Sequence, residues 1–157
     1  MTEHQRKGAI DFDRLVAELA QEIAKQEREL YSGVVIHEAR HPSNLGRMAE
    51  PDAYGNVHGW CGDTMEIYLR LNGAKIEQAT FMTDGCGATV ACGSMLTKMA
   101  TGKLLAEAVE ILPEHLIEAL GGLPDENQHC AELAVITLQN ALGNLKTVDQ
   151  VQAEDLD

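Results

Sequence analysis

Basic residues are scarce in this 157-residue chain: 12 lysines and arginines stand against 25 aspartates and glutamates, for a net charge of −13. That balance excludes a surface built to neutralise nucleic-acid phosphates or to lie on an anionic bilayer. It suits solubility, or docking to a basic protein partner. Long apolar runs are also missing, and none approaches the roughly 20 residues that span a bilayer. The first seven residues, Met1-Thr2-Glu3-His4-Gln5-Arg6-Lys7, lead into no signal-type apolar core, so the expected location is a reducing cytoplasm. There is no Cys-x-x-Cys pair, which argues against a thioredoxin-like motif and a zinc ribbon. In a reducing compartment the four cysteines are expected to be free or metal-bound rather than disulfide-paired. There is no internal repeat and no low-complexity tract, and the composition (45% hydrophobic, 24% charged) fits one ordinary globular domain.

What is present begins with helical periodicity over residues 11–30. Phe12, Leu15, Val16, Leu19, Ile23 and Leu30 fall near one face, with Glu18, Glu22, Lys25 and Glu29 largely elsewhere. This N-terminal amphipathic helix must bury its stripe, and the expectation is that it covers the domain's own apolar surface, with dimerisation as the alternative. A second helix is expected through Tyr31–Ala39, stopping before His41-Pro42. The stretch from Pro42 to Trp60 reads as loop, with a short strand near Asn56–Trp60. Met65, Ile67, Leu69 and Leu71 then alternate with Thr64, Glu66, Tyr68 and Arg70, the period of a half-buried strand. Asn72-Gly73 marks a hairpin turn, and a returning strand spans Lys75–Thr83. After Gly87 the pattern turns helical up to Gly102, short helices follow at 103–111 and 114–120, and a last helix begins around Cys130. The fold class is therefore α+β: a small antiparallel three-stranded sheet with helices packed on one face, plus the extra N-terminal helix. The organisation is residues 1–30 as a helical extension, 31–146 as the domain and 147–157 as a flexible acidic tail.

Chemistry concentrates at three cysteines. Cys61 lies in Gly-Trp-Cys-Gly-Asp with Asp63 two residues on, Cys86 in Asp-Gly-Cys-Gly, and Cys130 directly after His129. A lone cysteine is most often a small buried hydrophobe, but three beside Gly, Asp and His at element ends are hard to explain as packing. Cys86 and Cys130 are expected at helix mouths, where the helix dipole and free N–H groups favour the thiolate, the form that binds metal or attacks sulfur. Cys92, inside a helix among Val90, Ala91 and Met95, reads as core. His58 ranks below His129 as a ligand, and Asp63 and His129 each have an ordinary reading as turn or capping residues. Three thiolates plus one oxygen or nitrogen ligand can hold one zinc ion or one two-iron cluster, and charge does not decide between them.

Taken together, these motifs resemble the IscU/NifU-type iron–sulfur cluster assembly scaffolds over about residues 31–146. The matching segments are Tyr31-Ser32, His41-Pro42-Ser43-Asn44-Leu45-Gly46, Cys61-Gly62-Asp63, Asp84-Gly85-Cys86-Gly87, and Leu123-Pro124 with His129-Cys130. Separations of 25 and 44 residues between the three cysteines fit the Isc-type branch and the N-terminal NifU domain alone. The zinc-binding, sulfur-relaying SufU-type relatives carry an insertion between the second and third cysteines. The resemblance implies a scaffold, with no turnover of its own, for a labile [2Fe-2S] cluster that is passed to apo iron–sulfur proteins. The sulfur would come from a PLP-dependent cysteine desulfurase or from sulfide directly. It implies Cys61, Cys86 and Cys130 as ligands, Cys130 as persulfide acceptor, and Asp63 or His129 as the fourth ligand, with Asp63 keeping the cluster labile. Zn²⁺ in the same site, in a SufU-like sulfur-transfer partner of a desulfurase, is the alternative.

Two departures stand out. The family's chaperone-recognition segment, Leu-Pro-Pro-Val-Lys, here reads Leu123-Pro124-Asp125-Glu126-Asn127, which argues against a dedicated Hsp70-type chaperone. The other is the helix over residues 1–30, which extends beyond the usual scaffold start.

Overall fold

The period-two stretch that begins at Thr64 forms the centre of the sheet. In the computed structural model, which describes residues 3–145, β2 (Thr64–Asn72) pairs antiparallel with both β1 (Ala53–His58) and β3 (Lys75–Thr83), giving the order β1-β2-β3. Tyr54 faces Tyr68 and Val57 faces Met65 across the first pair; Ile67 faces Phe81 across the second. The alternation has its expected cause: Met65, Ile67, Leu69, Ala79 and Phe81 point inward and are fully buried, each large side chain contributing about 1.5–3 kcal/mol. A shift in register at Arg70/Leu71 precedes the hairpin turn at Gly73-Ala74.

Two long helices cover that inner face. α3 (Gly87–Ala100) packs against β3, and α6 (Gln128–Gly143) packs against β1 and β2. Gly93 lets α3 come close, since a Cβ there would lie 2.4 Å from the Phe81 ring. α2 (Gly33–Arg40) lies on α3 and ends at Arg40, one residue before His41-Pro42. Its N-cap hydroxyl, Ser32 Oγ, accepts from the Val35 N–H at 3.1 Å. Glu38 of α2 is buried and hydrogen-bonded to both Ser94 and Lys98 of α3, and Ser94 Oγ in turn accepts from the Ser43 N–H at 2.8 Å. The loop after α2 is thereby held against the outer edge of β3, where the Phe81 N–H donates to Asn44 O and the Gly46 N–H to Phe81 O. α4 (Leu105–Ala108), α5 (Pro113–Ala119) and a 3₁₀ turn at Asp125–Asn127 complete the chain up to α6.

The α+β expectation holds, with local differences. β1 starts three residues earlier than the short strand expected at Asn56 and ends at His58, because Gly59–Asp63 forms a closed turn, with the Gly59 N–H donating to Asp63 O at 2.7 Å. The helix expected over 103–111 is the four-residue α4, and α6 begins two residues before Cys130. α1 spans Glu3–Leu30, longer than its periodic core. Its apolar stripe does not cover the domain: Phe12, Leu15, Val16, Leu19, Ile23 and Leu30 are all exposed, Phe12 at 65% and Leu30 at 62%. Among the described residues the helix meets α2 near its C-terminal end, where Glu27 pairs with Arg40. The acidic tail expected at 147–157 lies outside the described residues.

Candidate functional site

Three element ends meet at one pole of the domain. The Gly59–Asp63 turn joins β1 to β2, the Asp84-Gly85-Cys86 segment joins β3 to α3, and the first turn of α6 follows the 3₁₀ turn. Gly62, at φ +95°, takes the left-handed backbone that closes the first of these around Cys61. The second is pinned to the first: the Thr64 N–H donates to Asp84 Oδ1 at 2.7 Å, and Thr83 Oγ1 donates to Thr64 O at 2.7 Å. The third is tied back to the α1–α2 junction by Tyr31, whose hydroxyl donates to Asn127 Oδ1 at 3.0 Å.

At the centre of the pole is a residue that sequence reasoning missed. The Thr89 hydroxyl, fully buried in the first turn of α3, lies 3.3 Å from Asp63 Oδ2, 3.4 Å from Cys130 Sγ and 3.7 Å from Cys86 Sγ. A hydroxyl has one proton to donate, so the carboxylate and the thiols compete for it. The available signal was spacing: a threonine three residues after a cysteine at a helix mouth shares its face.

The thiols differ more than their settings suggested. Cys86 is the N-cap of α3 and is exposed. Burial of its sulfur pushes the thiol up, but hydrogen bonds from the Thr89 N–H, the Thr89 hydroxyl and the Ala88 N–H outweigh it, so the Cys86 thiol lies below its ordinary value. Cys130, expected to share this advantage, does not. It sits within α6 rather than at a free helix mouth, behind the 3₁₀ turn, and is buried. Burial pushes its thiol up; the Thr89 hydrogen bond opposes this, and the nearby Cys86 and Cys61 sulfurs add to the rise. Cys92 is fully buried in the core, as expected, and burial drives its thiol far up.

Cys61 is exposed and lines a shallow recess with His58, Trp60, His129 and Glu132. His129 stands between the two sides of the pole: its Nε2 is 3.7 Å from Cys130 Sγ, and its ring lies 5.3 Å from that of Trp60. His58, ranked below it, is held by Thr64, with Nδ1 2.7 Å from Oγ1. Asp63, Cys86 and Cys130 are thus gathered on Thr89, and Cys61 and His129 on the adjoining recess. Among the described residues no three His, Cys, Asp or Glu side chains converge on a single metal-sized point. On the other side of Cys86 a groove of about 210 Å³ is lined by Tyr31, Val35, Ala39, Arg40 and Gly87.

The family model of the NifU-like N terminal domain matches residues 30–151. The iron-sulfur cluster assembly scaffold protein IscU 1 of Archaeoglobus fulgidus is 40% identical over 114 residues, which cover 72% of this chain and 74% of that protein. The scaffold protein IscU of Azotobacter vinelandii is 34% identical over 121 residues, covering 74% of this chain and 94% of the relative. The crystal structure of a nitrogen-fixing NifU-like protein (N-terminal) from Brucella abortus superposes with a TM-score of 0.53 at 17% identity, over 78% of this chain and 94% of that one, a likeness of fold.

Proposed function

Because the chain belongs to the NifU-like N-terminal domain family, we propose that it is a scaffold on which an iron–sulfur cluster is assembled and from which it passes to recipient apo-proteins. The observation that carries this reading is that three separate element ends bring three thiols to one pole, Cys86 and Cys130 around the Thr89 hydroxyl with Asp63, and Cys61 in the adjoining recess with His129. Packing alone gives no reason to place an exposed Cys61, an exposed Cys86 and a buried Cys130 at the same pole. The cargo is a [2Fe-2S] cluster bound by Cys61, Cys86 and Cys130, with Asp63 or His129 as the fourth ligand. A carboxylate is a harder and weaker partner for iron–sulfur clusters than a thiolate, so a site that uses Asp63 suits release.

The protein's own chemistry in this scheme is to present thiolates and to shelter them. Cys86 is the more readily ionised thiol, its pKa held below the ordinary cysteine value by the Thr89 N–H and hydroxyl and the Ala88 N–H. Cys130 is the proposed persulfide acceptor. The thiolate is the attacking form, and burial disfavours it at Cys130, so this thiol is the less readily ionised of the two around Thr89. The sulfur donor is a cysteine desulfurase, whose persulfide gives its outer sulfur to the Cys130 thiolate while the desulfurase cysteine leaves as a thiolate, or free sulfide, which joins iron in the cluster directly with no persulfide on Cys130. The protein has no turnover of its own.

Anaerobic reconstitution with iron and sulfide tests the proposal. The expected product is a chromophore with about two irons per site. It is lost on replacement of Cys61, Cys86 or Cys130 by Ser and retained in Cys92→Ser. Tight stoichiometric zinc that resists displacement by iron, together with stimulation of a desulfurase, would instead identify a zinc-dependent sulfur-transfer partner.

A further inference from the structure

The apolar face of α1 has the form of one half of a helix pair. From Phe12 onward its seam residues fall in a heptad register, with Val16, Ile23 and Leu30 at the a positions and Phe12, Leu19 and Gln26 at d. Val16 and Ile23 at a with Leu19 between them at d match the core of a two-stranded coiled coil, Phe12 and Leu30 extend it and Gln26 interrupts it, and this seam is exposed along its length. The flanks of the seam decide what covers it. The e positions are Asp13, Ala20 and Glu27, and the g positions are Leu15, Glu22 and Glu29, so every charged flank is acidic.

A second copy of this chain is a poor occupant. Pairing two parallel copies sets Glu22 against Glu27, which Arg40 already engages, and antiparallel pairing sets e against e and g against g, with Glu22 and Glu29 as the free acids on the g side. A net charge of −13 on each chain adds to that repulsion. A lipid surface is also a poor occupant, because helices that lie on membranes carry Lys and Arg on the polar face beside the apolar one, and here the charged residues next to the seam are acidic. We propose that α1 is a docking helix for a protein partner that offers an apolar helical seam flanked by Lys or Arg. The seam supplies the affinity and the acidic flanks supply selection, by attraction to a basic partner and repulsion of acidic ones. Because α1 meets the domain through Glu27 and Arg40 and leads into Tyr31 beside Cys86, a partner held on α1 is tethered next to the thiol pole.

The test uses the full chain and two synthetic 28-residue heptad peptides with the same Ile and Leu seam, one with Lys at every e and g position and one with Glu. Binding is read by fluorescence anisotropy. The Lys-flanked peptide is expected to bind at least about tenfold more tightly than the Glu-flanked one, and more weakly as salt is raised. L19Q/I23Q should abolish binding of both. E22K/E29K changes no group that packs on the domain and should reverse the preference. Equal binding of the two peptides, or of neither, overturns the proposal. So does a dimer in analytical ultracentrifugation that L19Q/I23Q disperses, which makes a second copy the occupant. Binding to neutral phosphatidylcholine vesicles that L19Q/I23Q removes would make the occupant a membrane. None of these readings depends on the cluster, so their failure leaves the scaffold proposal standing.

Discussion

Replacing Thr89 by Val removes one hydroxyl and almost nothing else. The two side chains have nearly the same shape, so the packing of α3 against the site is kept, and only the shared donor is lost. That donor lies 3.7 Å from Cys86 Sγ, 3.4 Å from Cys130 Sγ and 3.3 Å from Asp63 Oδ2. Hydrogen bonds to charged groups are worth about 1.5–3 kcal/mol, and this one is long and divided among three acceptors, so the lower end of that range applies. One pKa unit corresponds to about 1.4 kcal/mol, so the Cys86 thiol should rise by roughly one unit in Thr89→Val. At pH values below the Cys86 midpoint its thiolate fraction then falls about tenfold, while the more basic thiolate gains about threefold in intrinsic reactivity, for a net slowing of about threefold. The assay is iodoacetamide alkylation of the metal-free protein, with the rate at each cysteine followed by mass spectrometry across pH. The pH midpoint for Cys86 should move up and its neutral rate should drop. An unchanged or lowered midpoint would refute the claim that the Thr89 hydroxyl holds the Cys86 thiolate.

Two further outcomes follow from the same contacts. Asp63→Ala removes a negative neighbour that raises the Cys86 thiol, so Cys86 alkylation should quicken, and the reconstituted cluster should persist longer and transfer more slowly to an apo-ferredoxin acceptor. Faster transfer would count against a labilising carboxylate. Lys98→Met leaves Glu38 buried beside Ser94 without its cation, at a cost of about 1–3 kcal/mol at neutral pH in urea unfolding. In the wild type, burial pushes the Glu38 carboxyl up, but Lys98 and Ser94 outweigh it and hold it below its ordinary value. The stability it contributes is therefore present above the unfolded-state pKa and lost as pH falls through the lower folded one. The difference between wild type and Lys98→Met should accordingly shrink in acid, and a difference that grows there would refute the pairing.

The hairpin of β2 and β3 was legible because one face of each strand is buried, and burial of one face is what period two records. β1 was harder to place. Ala53-Tyr54-Gly55-Asn56-Val57-His58 alternates weakly, and the strand-like Gly59-Trp60 is taken by a turn whose closing bond to Asp63 no periodicity reveals. For α1 the pattern told that a face exists but not what covers it, and the structure leaves that face exposed. The thiols divide in the same way. Cys92 was readable as core from its neighbours. The split between Cys86 and Cys130 was not, because it depends on how deeply α6 tucks Cys130 behind the Asp125–Asn127 turn, a matter of tertiary packing. Thr89 was missed because a threonine in an apolar helix reads as filler until its neighbours in space are known.

Trp60 is the chain's single tryptophan, 85% exposed, next in sequence to Cys61 and in ring contact with His129. The molecule therefore carries its own optical probe at the rim of the pole, with no second indole to dilute the signal. Arrival of iron at Cys61 or a partner settling over the recess should each change the emission of this one residue. Loading and unloading can then be timed by stopped-flow fluorescence on the unlabelled protein.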